Sequence, residues 1–215
     1  LLKHNKGKGV MIGKMEDIEP RVVTVVGAGV AGTQSISKAL DNNALVKVLD
    51  TSESKLQALE NEFGSKNIEY IMSTNDSVQA AINDSDLVIG SVYVVGKEAP
   101  KVVSNDMLIS MKPGTVMVDV SIDQGGCFES SKPTTHDNPT FVKNDIVHYC
   151  VTNMPGAVPL TATQALNKVT LSYIENLANK GIDKALAEDE HLRNGLNIQQ
   201  GTITHQGVKD SLEKF

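Results

Sequence analysis

Three glycines near the start of the chain have a spacing that could hold a phosphate-containing ligand. Gly27, Gly29 and Gly32 form the pattern GxGxxG in "GAGVAG", directly after the apolar run "RVVTVV" and before a helical stretch. Gly27 permits a tight turn, Gly29 lets the backbone approach a pyrophosphate, and Gly32 allows helix and strand to pack closely. The first helical turn then presents free N–H groups and a positive dipole end to the diphosphate. These features predict a dinucleotide site.

Asp50 ends the next predicted strand, close to the spacing of about 20 residues at which dinucleotide sites carry an acidic residue. A carboxylate there accepts hydrogen bonds from ribose hydroxyls and repels a 2′-phosphate, which favours NAD over NADP. Lys55 is the nearest cation in the sequence, and we expect it to lie beside the adenosine. A plain strand–helix turn and an FAD site are the alternatives for this stretch.

Asp123 is a second acidic residue in a position to do chemistry. It follows the apolar stretch "TVMVDVSI", residues 115–122, and precedes Gln124 and two glycines. Ligands of open α/β sheets bind beyond the carboxyl ends of the strands, so Asp123 is predicted to lie on the ligand side. An aspartate at a strand end can equally cap its own loop as an Asx-turn. Position alone leaves both interpretations open.

The elements that would position these residues alternate between short apolar strands and helices. Strands are predicted at 21–26, 45–50, 68–73, 86–92, 115–122 and 145–151. This alternation is typical of an α/β fold, a Rossmann-type doubly wound parallel sheet with helices on both faces. Thr161 and Gln164 are spaced as a capping box, which predicts the start of a long helix at that point.

Three segments follow from this pattern. Residues 1–20 are predicted to be a lead-in, 21–160 the nucleotide-binding domain, and 161–215 a long helix with a polar tail. The tail has too few apolar residues for a core of its own. We therefore expect the tail to pack on something else, as a strap.

Composition narrows the possible partners. The net charge is -6, which argues against nucleic acid or an anionic membrane as the main partner. No apolar run approaches the roughly 18 residues that a membrane span needs. Cys127 and Cys150 are predicted to be free thiols in a reducing cytoplasm, and no Cys/His cluster predicts a metal site.

Four stretches together resemble bacterial alanine dehydrogenase, from about residue 8 to the C-terminus. They are "VVGAGVAG", "DLVIGSVYVVGKEAPKVVS", "MKPGTVMVDVSIDQGGCFESSKPTTHDNPTF" and "VTNMPGAVPLTATQAL". The resemblance implies oxidation of L-alanine to pyruvate and ammonia with hydride transfer to NAD, in a hexameric enzyme. It implies that Asp123 is catalytic and contacts the cofactor. The further cofactor-binding positions it implies are Gly27, Ala28, Gly29, Val30, Gly32, Asp50, Lys55, Ser73, Val92, Ile122, Asn153 and Met154.

The resemblance also implies a second, substrate domain, to which the N- and C-terminal segments of this chain would belong as an incomplete part. It further implies a catalytic lysine and histidine in a segment that precedes the nucleotide domain. None of the five histidines suits that role, so we expect this chain to be a fragment that binds NAD without catalysing the reaction alone. A regulatory NAD-sensing module is one alternative. The NAD-binding subunit of a proton-translocating transhydrogenase is another, although it would require membrane partners.

Overall fold

The chain folds into two compact units in a computed structural model that describes residues 1–212. The first unit comprises Leu1–Val94 and Ala99–Thr152, and the second comprises Val95–Glu98 with the chain from Asn153 onward. The lead-in is part of the first unit, where Lys8 Nζ lies 2.8 Å from Asp86 Oδ1. The domain assignments 1–20, 21–160 and 161–215 stay a prediction.

The first unit is built on one seven-stranded sheet. Its helices and strands are, in chain order, β1 (Val22–Val26), α1 (Val30–Asp41), β2 (Leu45–Asp50), α2 (Glu53–Phe63), β3 (Ile68–Met72), α3 (Asn75–Asn83), β4 (Leu87–Gly90), β5 (Val116–Asp119), β6 (Thr140–Lys143) and β7 (Ile146–Tyr149). The strand order is β3-β2-β1-β4-β5-β7-β6, and every pairing is parallel except that of β6 with β7. The predicted doubly wound α/β fold is confirmed.

Apolar side chains on both faces of the sheet explain why these strands form. Successive strand residues point to opposite faces, so Val25 and Val48 pack in one buried cluster while Val26 and Leu49 pack in the other. Helices α1 and α2 bury Ile36, Leu56 and further apolar residues, and α3 buries Val78 and Ile82. Burial on both faces is the arrangement expected of a parallel sheet.

The fifth strand ends earlier than predicted. β5 stops at Asp119, and residues Ile122–Gln124 form a turn of 3-10 helix, so the prediction of a strand through 122 is wrong. The reason is Asp119 itself, because its buried carboxylate accepts the backbone N–H of Ser121 and so turns the chain out of the sheet. The antiparallel strand β6 is an element that the alternation of strands and helices did not predict.

The second unit contains helices and one small hairpin. Its elements are α4 (Pro159–Lys180), α5 (Ile182–Glu188), α6 (Glu190–Asn194), β8 (Ile198–Gln199), β9 (Thr202–Ile203) and α7 (Gln206–Leu212). The predicted capping box is wrong: α4 begins at Pro159, and Val158 caps it without a side-chain hydrogen bond. Proline suits a first helical position because it has no N–H to leave unpaired. Within residues 1–212, no helix combines the length and apolarity that crossing a membrane requires.

Candidate functional site

A pocket of about 890 Å³ opens at the carboxyl ends of the central strands. It lies where the strand order reverses between β1 and β4, which is the position at which open α/β sheets bind ligands. Its volume is in the range of roughly 300–1,000 Å³ typical of small-molecule sites. The wall belongs entirely to the first unit: Val26, Gly27, Gly29, Val30, Ala31, Leu49, Asp50, Thr51, Lys55, Ser73, Ser91, Val92, Tyr93, Val94, Pro100, Val102, Val120, Ser121, Asp123 and Gln124.

Two glycines of the glycine loop, residues 27–32, are required by packing within the chain. Gly27 has a φ of 106°, in the left-handed region, and a Cβ there would lie 2.6 Å from the carbonyl oxygen of Ser91. A Cβ on Gly32 would lie 1.9 Å from the carbonyl oxygen of Gly27. Gly32 is buried and does not line the pocket. These contacts let α1 begin directly against the end of β1.

Gly29 has a different environment, because nothing lies within 4 Å of the Cβ position. Its φ of −81° is open to any residue. The fold of this chain therefore gives no steric reason for a glycine at this position. Gly29 lines the pocket and precedes the first turn of α1, where unpaired N–H groups attract an anion. The free space is what a diphosphate resting on the backbone would need.

Asp50 connects the glycine loop to the second strand. Its Oδ2 accepts the backbone N–H of Ala28 at 2.8 Å, and its Oδ1 accepts that of Ser52 at 2.9 Å. Each carboxylate oxygen can accept more than one hydrogen bond, so both keep capacity for ligand hydroxyls. Lys55 Nζ lies 3.7 Å from Oδ2, and Lys55 is more than half exposed. An acidic group thus lies at the β2 end of the pocket with an exposed cation beside it.

Most of the remaining sequence-predicted positions also reach this pocket. Val30 is exposed at the start of α1, Ser73 follows β3, and Val92 follows β4. Ala28 is buried and contributes through its N–H to Asp50. The wall residues Tyr93, Val94, Pro100, Val102 and Ser121 were not singled out from the sequence, although the stretches that carry the family resemblance contain them.

Asp123 lies at the β5 end of the same pocket. Asp123 is exposed and lines the wall together with its neighbours Ser121 and Gln124. Loop capping is carried out by Asp119, whose Oδ2 accepts the N–H groups of Cys127 at 2.9 Å and Phe128 at 3.3 Å. Asp119 therefore turns the chain at the end of β5, four positions before Asp123. A buried aspartate within the apolar strand "VMVD" was the available signal, because such a charge requires hydrogen-bond donors.

Five predicted cofactor positions do not line this pocket: Ala28 and Gly32 in the glycine loop, and Ile122, Asn153 and Met154. Ile122 is 4% exposed and packs inward between Ser121 and Asp123. Asn153 and Met154 belong to the second unit, where Asn153 has a left-handed φ of 53° and precedes the 3-10 turn Met154–Ala157.

Other reactive side chains of the first unit lie away from the pocket wall. Cys127 and Cys150 are free and buried, and burial raises the pKa of both thiols. Burial lowers the pKa of His148. Its Nδ1 lies 3.0 Å from the Ile146 carbonyl, which can only accept, so Nε2 accepts the Ser130 hydroxyl at 2.7 Å. Among residues 1–212, no group of three or more acidic, histidine or cysteine residues could hold a metal ion.

Comparison with known proteins decides the family. The model of the alanine dehydrogenase/PNT C-terminal domain matches residues 1–206. The chain belongs to this alanine dehydrogenase/PNT family. Alanine dehydrogenase of Halomonas elongata is 47% identical over 98% of this chain, and alanine dehydrogenase 2 of Staphylococcus aureus is 44% identical over 99%. The resemblance seen in the motifs is confirmed.

Solved structures agree with this family assignment. An L-alanine dehydrogenase superimposes with a TM-score of 0.89 at 41% identity, over 100% of this chain and 59% of that one. A transhydrogenase from Sinorhizobium meliloti gives a TM-score of 0.71 over 90% of this chain and 53% of that one. At 24% identity that likeness shows the fold alone. This member of the alanine dehydrogenase/PNT family spans 57% of the length of the two curated relatives.

Proposed function

We propose that this chain binds NAD and forms the nucleotide-binding part of an alanine dehydrogenase. The observation that carries the proposal is one pocket, at the switch point of the sheet, bordered by the glycine loop, Asp50 and Asp123. The 47% identity to an alanine dehydrogenase over nearly the whole chain supports the same conclusion. A purely sensory module would have no evident use for a carboxylate at the β5 end of the pocket.

The proposed cofactor pose runs from Asp50 across the glycine loop to Asp123. Both Asp50 oxygens would accept the adenosine ribose hydroxyls, with Lys55 and Ser73 alongside. The diphosphate would rest over Gly29 at the start of α1, where the N–H groups and dipole attract it. The nicotinamide would then face Val92. A negative charge at Asp50 disfavours the extra phosphate of NADP.

The proposed reaction converts L-alanine, NAD⁺ and water into pyruvate, ammonium, NADH and a proton. Bound NAD⁺ would supply the acceptor, C4 of its nicotinamide, for the hydride that leaves the substrate Cα. Positive charge develops on the substrate nitrogen, and the carboxylate of Asp123 would stabilise it from the pocket wall. The same carboxylate could hold the water that attacks the resulting imine. Its exposure at the pocket wall supports these roles because substrate and water can reach it.

Ile122 is proposed to complete the nicotinamide side on the basis of the family resemblance, and Asn153 and Met154 stay cofactor-binding residues that this resemblance implies. We further propose that the reaction also needs a proton-transferring histidine and a lysine, as the family resemblance implies. None of the five histidines, all within the described residues, lines the pocket. A cytoplasmic, homohexameric enzyme is the assembly that the resemblance implies.

Calorimetric titration of this chain with NAD⁺ and NADP⁺ tests the cofactor assignment. We expect NAD⁺ to bind at least about 10-fold more tightly, because Asp50 disfavours the 2′-phosphate. In Asp50→Asn the preference should shrink, since the charge is lost while an acceptor oxygen remains. Asp41→Asn is the matched control, because Asp41 is an exposed acid at the far end of α1. Equal affinity of the unmodified chain for both nucleotides would refute the assignment.

Steady-state kinetics of the full-length gene product test the role of Asp123. In Asp123→Asn we expect kcat for L-alanine to fall by about 100-fold or more while the Kd for NAD⁺ changes less than about twofold. Asp137→Asn serves as the control, because Asp137 is exposed and does not line the pocket. Unchanged turnover in Asp123→Asn would remove Asp123 from the chemistry.

A further inference from the structure

The loop that carries Asp123, residues 120–131, is tied at both of its ends by one buried carboxylate. Asp119 Oδ1 accepts the N–H of Ser121 at 3.0 Å, and Oδ2 accepts the N–H of Cys127 and the hydroxyl of Ser131. Gly126 fits against this carboxylate, because a Cβ there would lie 2.8 Å from Oδ2. The carboxylate therefore fixes where the Asp123 loop leaves and rejoins the core.

Residues 99–102 hold the middle of the Asp123 loop by hydrogen bonds. Four consecutive loop carbonyls, those of residues 124–127, accept hydrogen bonds from this segment. The backbone N–H of Ala99 donates to Gln124 at 2.9 Å, and that of Val102 donates to Cys127 at 2.8 Å. Between these two bonds, the ammonium of Lys101 donates to the carbonyls of Gly125 and Gly126.

A lysine suits this position for a geometric reason. Gly125 and Gly126 have φ values of 86° and 75°, so two successive left-handed residues direct both carbonyls toward the same ammonium. A single backbone N–H cannot bond two carbonyls well, whereas an ammonium carries three donors on a flexible stem. Glycines also rotate at low cost, so this turn would move readily without its tie. Lys101 thus holds the two glycines near Asp123, whose backbones rotate most easily. We call its hydrogen bonds to Gly125 and Gly126 the clamp.

We propose that Lys101 is a positioning residue that holds Asp123 at the β5 end of the pocket. The inference rests on the proposed role of Asp123. Pro100 and Val102, which flank Lys101, line the pocket wall, so the clamp joins that wall directly to the Asp123 loop. Lys101 acts through the loop backbone, and its own side chain is not part of the pocket wall.

The test is Lys101→Met in the full-length gene product, with Lys112→Met as the matched control. Lys112 also donates to a backbone carbonyl, that of Asp84 at 3.0 Å, but it does not line the pocket. We expect Lys101→Met to lower kcat by about 10-fold or more, since small displacements of a catalytic group are costly. The Kd for NAD⁺ and the melting temperature should match those of Lys112→Met. Lys101→Arg, which can still donate to two carbonyls, should recover most of kcat.

Three outcomes would overturn the inference, and they separate it from the proposed function. Full kcat in Lys101→Met with Asp123→Asn inactive would refute the clamp and leave Asp123 in place. A melting temperature and NAD⁺ affinity that fall together with kcat would make Lys101 merely structural. Full turnover in Asp123→Asn would refute the proposed role of Asp123 and the clamp with it.

Discussion

Gly29 and Gly32 are three residues apart in the glycine loop, yet an added methyl group meets opposite surroundings at the two positions. At Gly32 the new Cβ would lie 1.9 Å from the Gly27 carbonyl oxygen and 2.9 Å from Ser91 Oγ. Ordinary contacts need more than 3 Å, so α1 or the loop must shift by over about 1 Å. Overpacking of this kind costs about 1–3 kcal/mol or more. We therefore expect Gly32→Ala to lower the free energy of unfolding by about 1–3 kcal/mol or more.

At Gly29 the same substitution should leave stability almost unchanged. Nothing lies within 4 Å of the new Cβ, and the φ of −81° suits alanine. The entropy lost from the unfolded chain favours alanine by about 0.4–1 kcal/mol, and the poorer helix cap offsets part of it. The net change in the free energy of unfolding should stay within about 0.5 kcal/mol. NAD⁺ binding should weaken at least about 10-fold, or 1.4 kcal/mol, because the methyl group occupies the space proposed for the diphosphate.

Urea unfolding and calorimetric titration of both variants measure these two quantities separately. The account expects a stable Gly29→Ala that binds poorly and a Gly32→Ala that is destabilised in the absence of ligand. A Gly29→Ala protein with unchanged NAD⁺ affinity would refute the placement of the diphosphate. Equal destabilisation by the two substitutions would refute the packing argument.

Three further predictions concern the residues around the sheet. Asp119→Ala leaves the N–H groups of Ser121 and Cys127 without their carboxylate acceptor. We expect the free energy of unfolding, measured by urea titration, to fall by about 2–4 kcal/mol. The control Asp137→Ala should leave it almost unchanged. Because burial lowers the pKa of His148, the imidazole takes up a proton in the unfolded chain at a higher pH than in the folded one. The free energy of unfolding should therefore be at its full value above about pH 6.5 and decline below it. In His148→Gln this decline should be smaller. A decline of equal size in His148→Gln would contradict the attribution of this pH dependence to His148. Cys127 and Cys150, with raised thiol pKa values, should resist maleimide at pH 7 until urea unfolds the chain, and fast labelling of the native protein would contradict their burial.

Local spacing is enough to predict the half of the site that the glycine loop builds. Strand, turn and helix follow one another without a break from residue 22 to 41, and Asp50 ends the strand that pairs with β1. Each of these features is encoded by neighbours in the sequence, so the pocket wall at Gly27, Gly29 and Asp50 could be expected before the fold was known.

The other half depends on contacts between distant residues, which spacing cannot reveal. The end of β5 is set by Asp119 bonding to residues up to 12 positions later. The clamp joins Lys101 to Gly126, 25 residues along the chain. Nothing local distinguishes Lys101 from other exposed lysines, and the antiparallel β6 depends on its pairing with β7. Local patterns therefore predicted a strand through 122, where long-range hydrogen bonds end it at Asp119.

A crystal structure of this chain with bound NAD⁺ tests the central claim most directly, through one distance and one orientation in the same density map. The account predicts an adenosine ribose hydroxyl within about 3.2 Å of an Asp50 carboxylate oxygen and the nicotinamide ring facing the Asp123 carboxylate. A dinucleotide bound away from the glycine loop, or an Asp123 carboxylate directed away from the ring, would contradict it.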